Sequence, residues 1–314
     1  MNNRKYKHLF GPVPSRRFGR SLGIDLVQKK VCTIDCLFCQ VGRTTDLTSV
    51  RAEYVPVAEV ISELDDWKAS GGESNFITLS GSGEPTLNSR FGDVINYVKQ
   101  HFDTPMLVLT NGTLLHLPEV REAAAKADIV KASLSAWDQE SFEKMNRPCP
   151  EITFEKLVSG EKAFRKMFKG ELWLEVFILP GVNSKPEQVA RIAEIAGEIR
   201  PDRVQLNTVA RPPAYADAVA ADKSTLDLLA DVFSPRAEII AKFNSSSCDH
   251  TSVTGARILA MLERRPCTGT QIADAFGIHH GEALKYITAL LGSGHIVENR
   301  QGDELFFQIA PQKL

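Results

Sequence analysis

The chain has 314 residues, 43% of them hydrophobic and 24% charged, with a formal net charge of -2. That length accommodates one large domain and a small one, and the near-neutral balance argues against a surface built wholly to bind a polyanion. No run approaches the roughly 20 apolar residues that span a bilayer, and no apolar segment follows Arg4, Lys5 and Lys7, so neither a membrane span nor a secretory signal is expected.

The first 31 residues hold eight Lys/Arg against one acid, Asp25, with Arg16, Arg17 and Arg20 clustered. They read either as a solvated basic arm or as a phosphate-contacting rim. Residues 10–20, with Gly11, Pro12, Pro14 and Gly19, read as a loop, and 22–27 as a first strand. Cys32, Cys36 and Cys39 follow within eight residues, spaced x3 then x2. One tight loop can wrap these sulfurs around a compact inorganic centre. A structural zinc site wants four protein ligands, and no fourth Cys or His lies in the next sixty residues. A [4Fe–4S] cluster takes one thiolate per iron, so three would leave one iron open to bind and activate a small molecule.

Val57, Val60, Ile61, Leu64 and Trp67 fall at helical spacing, ended by Gly71 and Gly72. A second strand, 76–80, runs into Gly81-Ser82-Gly83-Glu84-Pro85-Thr86. Helix 89–101, strand 106–110 with Asn111 and Gly112, helix 117–126 and strand 129–135 follow. A helical region over 138–168 is broken at Arg147-Pro148-Cys149-Pro150. Strand 172–179, helix 186–199 and strand 203–209 complete the series. Six strands alternating with helices predict an α/β fold with a parallel sheet. The unusual residues stand at the strands' C-terminal ends, where (β/α) barrels place their chemistry. Residues 1–212 therefore read as a partial (β/α)6 TIM-like barrel with a basic N-terminal arm.

Residues 213–250 read as a connector, with an amphipathic helix over 222–241 and a polar linker at 244–248. Residues 251–314 read as a small winged helix-turn-helix domain: helices at 254–264, 268–276 and 280–291, then strands 295–299 and 304–309. From His250 onward there are six Lys/Arg and six Asp/Glu, and Lys285 is the lone cation of the presumed recognition helix. Sequence-specific DNA binding normally shows a basic face, so docking of a protein or substrate is favoured. On this reading the tail is removable without loss of chemistry.

Several stretches together resemble the radical S-adenosylmethionine (SAM) superfamily, and within it the wyosine-synthase-like branch that modifies tRNA. They are Gly11–Ser15, Ser21–Asp25, Cys32–Gly42, Ser80–Thr86, Thr110–Gly112, Ser133–Ser135, Met145–Pro148 and Pro180–Asn183. The resemblance covers about residues 10–212. It implies one [4Fe–4S] cluster on Cys32, Cys36 and Cys39, with SAM chelating the fourth iron and an electron cleaving it to a 5′-deoxyadenosyl radical. It implies a flavodoxin- or ferredoxin-type electron donor, and free thiolates with a cluster predict a reducing, cytoplasmic location. The chain departs from the tRNA-modifying members in having no cysteine ahead of Cys32 and in its appended tail.

On the same resemblance Phe38 packs near the adenine. Ser82, Gly83 and Glu84 anchor SAM, the carboxylate accepting from its ammonium. Asn111, Ser133 and Ser135 are candidates for the ribose hydroxyls. Lys131 alternates with Ser133 and Ser135 and can face the same mouth. Glu175, an inward carboxylate in an apolar strand, needs a partner. Lys131, Glu175 and Cys149 are the catalytic candidates; each has a plainer reading as a packing or snorkelling residue. The competing functions are a tRNA-modifying enzyme, a radical enzyme acting on a protein or peptide docked by the tail, and an iron–sulfur transcriptional sensor.

Overall fold

The computed structural model describes residues 6–15, 19–27, 30–210, 212–240, 255–276, 278, 280–302 and 304–311. In chain order the elements are β1 (Leu9–Ser15), β2 (Gly19–Ile24), β3 (Val31–Cys32), β4 (Asp46–Leu47), α1 (Val57–Ala69), β5 (Phe76–Leu79), α2 (Phe91–His101), β6 (Met106–Leu109), α3 (Pro118–Ala124), β7 (Ile129–Ser133), α4 (Gln139–Asn146), α5 (Phe154–Met167), β8 (Glu171–Phe177), α6 (Pro186–Ile199), β9 (Arg203–Asn207), α7 (Lys223–Ala230) and β10 (Glu238–Ile239). Then come α8 (Gly255–Leu262), β11 (Cys267–Thr268), α9 (Gly269–Phe276), α10 (His280–Gly292), β12 (Ile296–Gln301) and β13 (Glu304–Ile309).

The main sheet runs β1-β2-β5-β6-β7-β8-β9-β10. All neighbours from β2 to β10 pair in parallel, and β1 is antiparallel to β2. The strands follow sequence order with helices between them, which is the architecture of a partial, laterally open (β/α) barrel. The outer face is apolar: α1 buries Val57, Val60, Leu64 and Trp67, and α6 buries Val189, Ile192, Ala196 and Ile199. Local chemistry sets the helix starts. Asp138 caps α4 by accepting from the Ser141 amide, and Thr153 caps α5 by accepting from that of Lys156. The inner face is different. Leu107 and Trp173 pack with Phe76, Leu109 and Ile129, whereas Ser21, Thr78, Lys131, Glu175, Gln205 and Asn207 are buried polar residues on the same strands.

Three expectations are corrected. Residues 10–20 are not simply a loop: Leu9–Ser15 pairs with β2, with a register shift between Phe10 and Val13. An edge strand tolerates proline because its outward N–H needs no partner, and Gly11 adopts a positive φ of 94° at the shift. The first parallel strand is accordingly Gly19–Ile24 rather than 22–27. The connector helix stops at Ala230, ahead of Pro235, and Glu238–Ile239 adds a seventh parallel strand beside β9. Arg16, Arg17, Arg211, Cys248 and the linker 244–248 lie outside the described residues.

The C-terminal unit has its own core, with Ile258, Ile272, Ala283, Ile287, Ile296 and Phe307 buried together. Its three helices pack on a small antiparallel sheet in the order β11-β13-β12. Both α8 and α9 lie against the edge strand β1. No helix among the described residues is long and apolar enough to cross a membrane.

One core group is under evident strain of solvation. Glu161 of α5 is fully buried, and neither carboxyl oxygen has a hydrogen-bond partner. Burial pushes its carboxyl well above the usual range. The folded state therefore keeps a proton that the unfolded chain releases above a pH of about 4.3. Stability from this site is complete below that pH and is lost as pH rises through the folded-state value. Glu161→Leu should raise the melting temperature, with a gain on the order of 1–3 kcal/mol near neutral pH. Thermal melts at pH 5 and pH 7.5 check this, the larger gain falling at pH 7.5.

Candidate functional site

The cysteine loop leaves β3 and is held from outside by the end of α4. The Asp35 amide donates to the Asn146 carbonyl at 2.9 Å, and the Leu37 amide to that of Met145 at 3.1 Å. An N–H donor reaches each sulfur. Lys30 Nζ lies 2.9 Å from Cys39 Sγ, Asn146 Nδ2 lies 3.3 Å from Cys36 Sγ, and Asn111 Nδ2 lies 3.6 Å from Cys32 Sγ. Cys32 and Cys36 are buried and Cys39 is half-buried. Burial pushes the Cys32 thiol up to about 12 and raises Cys36 as well, while the Lys30 ammonium pulls both down. Burial alone would lower Lys30; the attraction of the three cysteines outweighs it and raises Lys30.

The loop after β5 presses on this structure. A Cβ on Gly83 would overlap the Val31 carbonyl oxygen, so only glycine fits there. The next amide, Glu84, donates to that same carbonyl at 3.1 Å. Glu84 is buried, and its own chain satisfies its carboxylate. Oε1 accepts from the Thr86 amide at 3.1 Å, Thr86 Oγ1 at 2.6 Å and Thr110 Oγ1 at 2.7 Å; Oε2 accepts from the Asn111 amide at 2.7 Å. Burial pushes Glu84 up against the opposing pull of these four bonds. Ser82 donates through its amide, at 3.2 Å, and its hydroxyl, at 2.6 Å, to Asp25 at the end of β2. The Asn111 side chain donates to Thr33 Oγ1 at 2.8 Å and accepts from Thr113.

Deeper in, Lys131 of β7 pairs with Glu175 of β8, both nearly buried. Asn207 Nδ2 of β9 donates to Glu175 Oε1 at 2.6 Å. Ser133 stands opposite Glu175 in register and is half-buried. Ser135 Oγ accepts from the Phe177 amide at 2.9 Å. Phe38 stacks on Phe177, with ring centroids 3.9 Å apart. The structure thus brings Lys131 and Glu175 together. It places Cys149 elsewhere, buried in the main core with its amide on the Thr33 carbonyl. The sequence reading missed Asp25, Lys30, Thr110 and the amide of Asn146. Asn146 stood in a quoted motif, but nothing in its spacing showed that it donates to a thiol.

Outside the mouth, Tyr215 donates to Asp35 Oδ2 at 2.5 Å, and Asp35 Oδ1 accepts from the Thr44 amide at 2.7 Å. The guanidinium carbons of Arg43 and Arg147 lie 4.3 and 4.5 Å from the centroid of the Tyr215 ring. Both arginines are exposed.

The donor set suits an iron–sulfur centre: three free thiols on one loop, each approached by an N–H. Among the described residues no three His, Cys, Asp or Glu side chains are arranged to hold a metal ion in common; a cubane distributes its ligands over separate irons. The model of the Radical SAM superfamily matches residues 29–194, and the chain belongs to that superfamily. Enzymes of this superfamily use a [4Fe–4S] cluster and SAM and need an electron donor.

Over 298 residues the chain is 35% identical to a Brachyspira hyodysenteriae protein named GTPase Obg, covering 94% of this chain and 44% of that one. The chain thus spans less than half the length of that relative. It is 36% identical over 211 residues to a UPF0026 protein of Synechocystis sp., covering 67% of this chain and 78% of that protein. In fold it resembles a radical SAM methyltransferase from Sphaerobacter thermophilus, with a TM-score of 0.51 at 16% identity, over 70% of this chain and 64% of that one.

The contact between Gly83 and Val31 leaves no room for a methyl group. Gly83→Ala should destabilise the chain by about 1–3 kcal/mol and lower the iron retained after anaerobic reconstitution. Thermal melts and iron analysis on the same preparation check both.

Proposed function

We propose that the chain reductively cleaves SAM at a [4Fe–4S] cluster held by Cys32, Cys36 and Cys39, and uses the 5′-deoxyadenosyl radical to modify tRNA. The observation that carries the cofactor assignment is the seating of the Gly81–Glu84 loop on the strand that enters the cysteine loop. Cys32, Cys36 and Cys39 would hold the cluster, and the cluster with SAM would supply the radical chemistry. Gly83 gives close backbone approach. Glu84, with four donors from its own chain, fixes the loop and the Asn111 backbone. Ser133 has a hydroxyl with no partner among the described residues and suits a ribose hydroxyl. Lys131 and Glu175 form the polar floor on which substrate rests. Phe38 presents an aromatic edge beside the loop. Cys149 is a structural residue in this reading.

The Arg43–Tyr215–Arg147 stack supports an RNA substrate. Aromatic and guanidinium planes are the platforms on which unstacked bases rest, and this one adjoins the cysteine loop through Asp35. The basic N-terminal segment would add phosphate contacts. Residues 251–314 act as a winged-helix unit, and a reduced flavodoxin- or ferredoxin-type protein supplies the electron. Free thiols and a cluster suit a reducing cytoplasm.

Reconstituted protein should hold about four irons, lost when Cys32, Cys36 and Cys39 are replaced by Ala, and should yield 5′-deoxyadenosine and methionine from SAM under reduction. Cluster retention in the triple variant overturns the ligand assignment.

For RNA, Tyr215→Ala should weaken tRNA binding by about 1–3 kcal/mol with little change in salt slope. Neutralising Arg16, Arg17 and Arg20 should flatten that slope by about one unit per lost phosphate contact. If filter binding over a salt series shows no tRNA bound by any variant, a protein or peptide substrate replaces RNA.

A further inference from the structure

The C-terminal unit reaches into the barrel through one side chain. Arg264, just past α8, places Nη1 2.7 Å from Asp25 Oδ2. Its guanidinium carbon lies 4.0 Å from the centre of the Phe10 ring, and that ring fills the space a side chain on Gly23 would need. The pair is nearly dry, with side chains 13% and 9% exposed. Asp25 is also the residue that holds the SAM loop from behind. It accepts from both the amide and the hydroxyl of Ser82, and it lies so close to Gly81 that a Cβ there would strike it. One carboxylate therefore joins residue 264 to residues 81 and 82.

The chemistry of that joint is unequal. A carboxylate shared by a guanidinium and two Ser82 donors is well compensated in a dry site. Without Arg264 it is a buried charge held by Ser82 and, at 3.5 Å, by the Val27 amide, with no cation beside it, and it must draw in water or move. Either response loosens the carboxylate that the Ser82 amide bonds, and Ser82 leads directly into Gly83 and Glu84. Loss of a partner on one side is thus felt on the other as an allosteric coupling between the C-terminal unit and the loop.

We propose that Arg264 is a positioning residue for SAM: by pinning Asp25 it fixes the Gly81–Glu84 loop, so that seating of the C-terminal unit on β1 sets the affinity for SAM. This rests on the reading of that loop as the SAM anchor. It departs from the expectation that the tail can be removed without loss of chemistry.

The test uses the full-length reconstituted protein with three variants: Arg264→Met, Arg264→Lys, and Lys285→Met as a cation removed from an exposed part of the same unit. SAM binding is read by equilibrium dialysis, and cleavage by 5′-deoxyadenosine formation. Arg264→Met should raise the Kd and KM for SAM about tenfold while kcat at saturating SAM holds within about twofold. Arg264→Lys should recover part of the affinity, since it keeps the charge but not the planar stack on Phe10. Lys285→Met should match the wild type. A fall in kcat with KM unchanged marks a general structural role and overturns the proposal, as does unaltered affinity.

Hydrogen exchange at the Ser82 amide reads the coupling without SAM. It should quicken in Arg264→Met and not in Lys285→Met; unchanged exchange also overturns the proposal. Wild-type protein that neither binds nor cleaves SAM, yet shows the exchange difference, refutes the SAM reading and leaves the Arg264–Asp25 coupling standing.

Discussion

The contact on which the site depends is between two pieces of backbone. The loop after β5 lies so close to the Val31 carbonyl that position 83 admits no side chain, and the Glu84 amide bonds that same carbonyl. This fixes the glycine-rich turn against the entrance to the cysteine loop. Glu84 then carries the constraint one strand further. Its buried carboxylate gathers Thr86, Thr110 and the Asn111 amide, locking the ends of β5 and β6 together. A buried carboxylate is costly unless its lone pairs are met, and here four donors from two loops meet them. The residue that the sequence suggested as a ligand contact is thus also the clamp of the scaffold.

Polar residues inside the barrel follow the same logic. Lys131, Glu175 and Asn207 come from three adjacent strands and satisfy one another. The pairing of one cation with one anion lets the group lie buried among the strands. Glu161 is the exception. It carries the desolvation cost without the compensation, on the helix side of the sheet, where Gly112 leaves it just enough room.

Much of the barrel was legible because its signals are local. Helix periodicity, the break at Arg147–Pro150 and strand-end glycines depend on a few neighbouring residues, and the parallel strands β5 to β9 fall where they point, whereas β2 starts ahead of its apolar run. The edge strand β1 was not legible. Its two prolines and Gly11 carry loop chemistry, and only pairing with β2 makes it a strand. Strand β10 failed for the opposite reason: two residues give no periodicity, and β9 alone orders them. In the site, cysteine spacing and the glycine-rich turn were readable because they lie within a few residues of one another. Asn146, Lys30 and Asp25 were not, because each acts through a partner on another element. The C-terminal elements were readable one by one, but a link between residues 25 and 264 spans 239 positions and leaves no pattern in the chain.

That separation has a consequence for the order in which the molecule is made. Each barrel strand pairs mainly with its neighbour in sequence, so the sheet can assemble as the chain emerges from the N-terminus. The partner of Asp25 lies 239 positions further along and emerges after the sheet strands are made. A chain made only that far would hold its sheet and cysteine loop while the turn at Gly81–Glu84 still lacked the brace that Arg264 gives through Asp25. Reactive chemistry would then wait on the seating of the C-terminal unit, which is made after the barrel it braces.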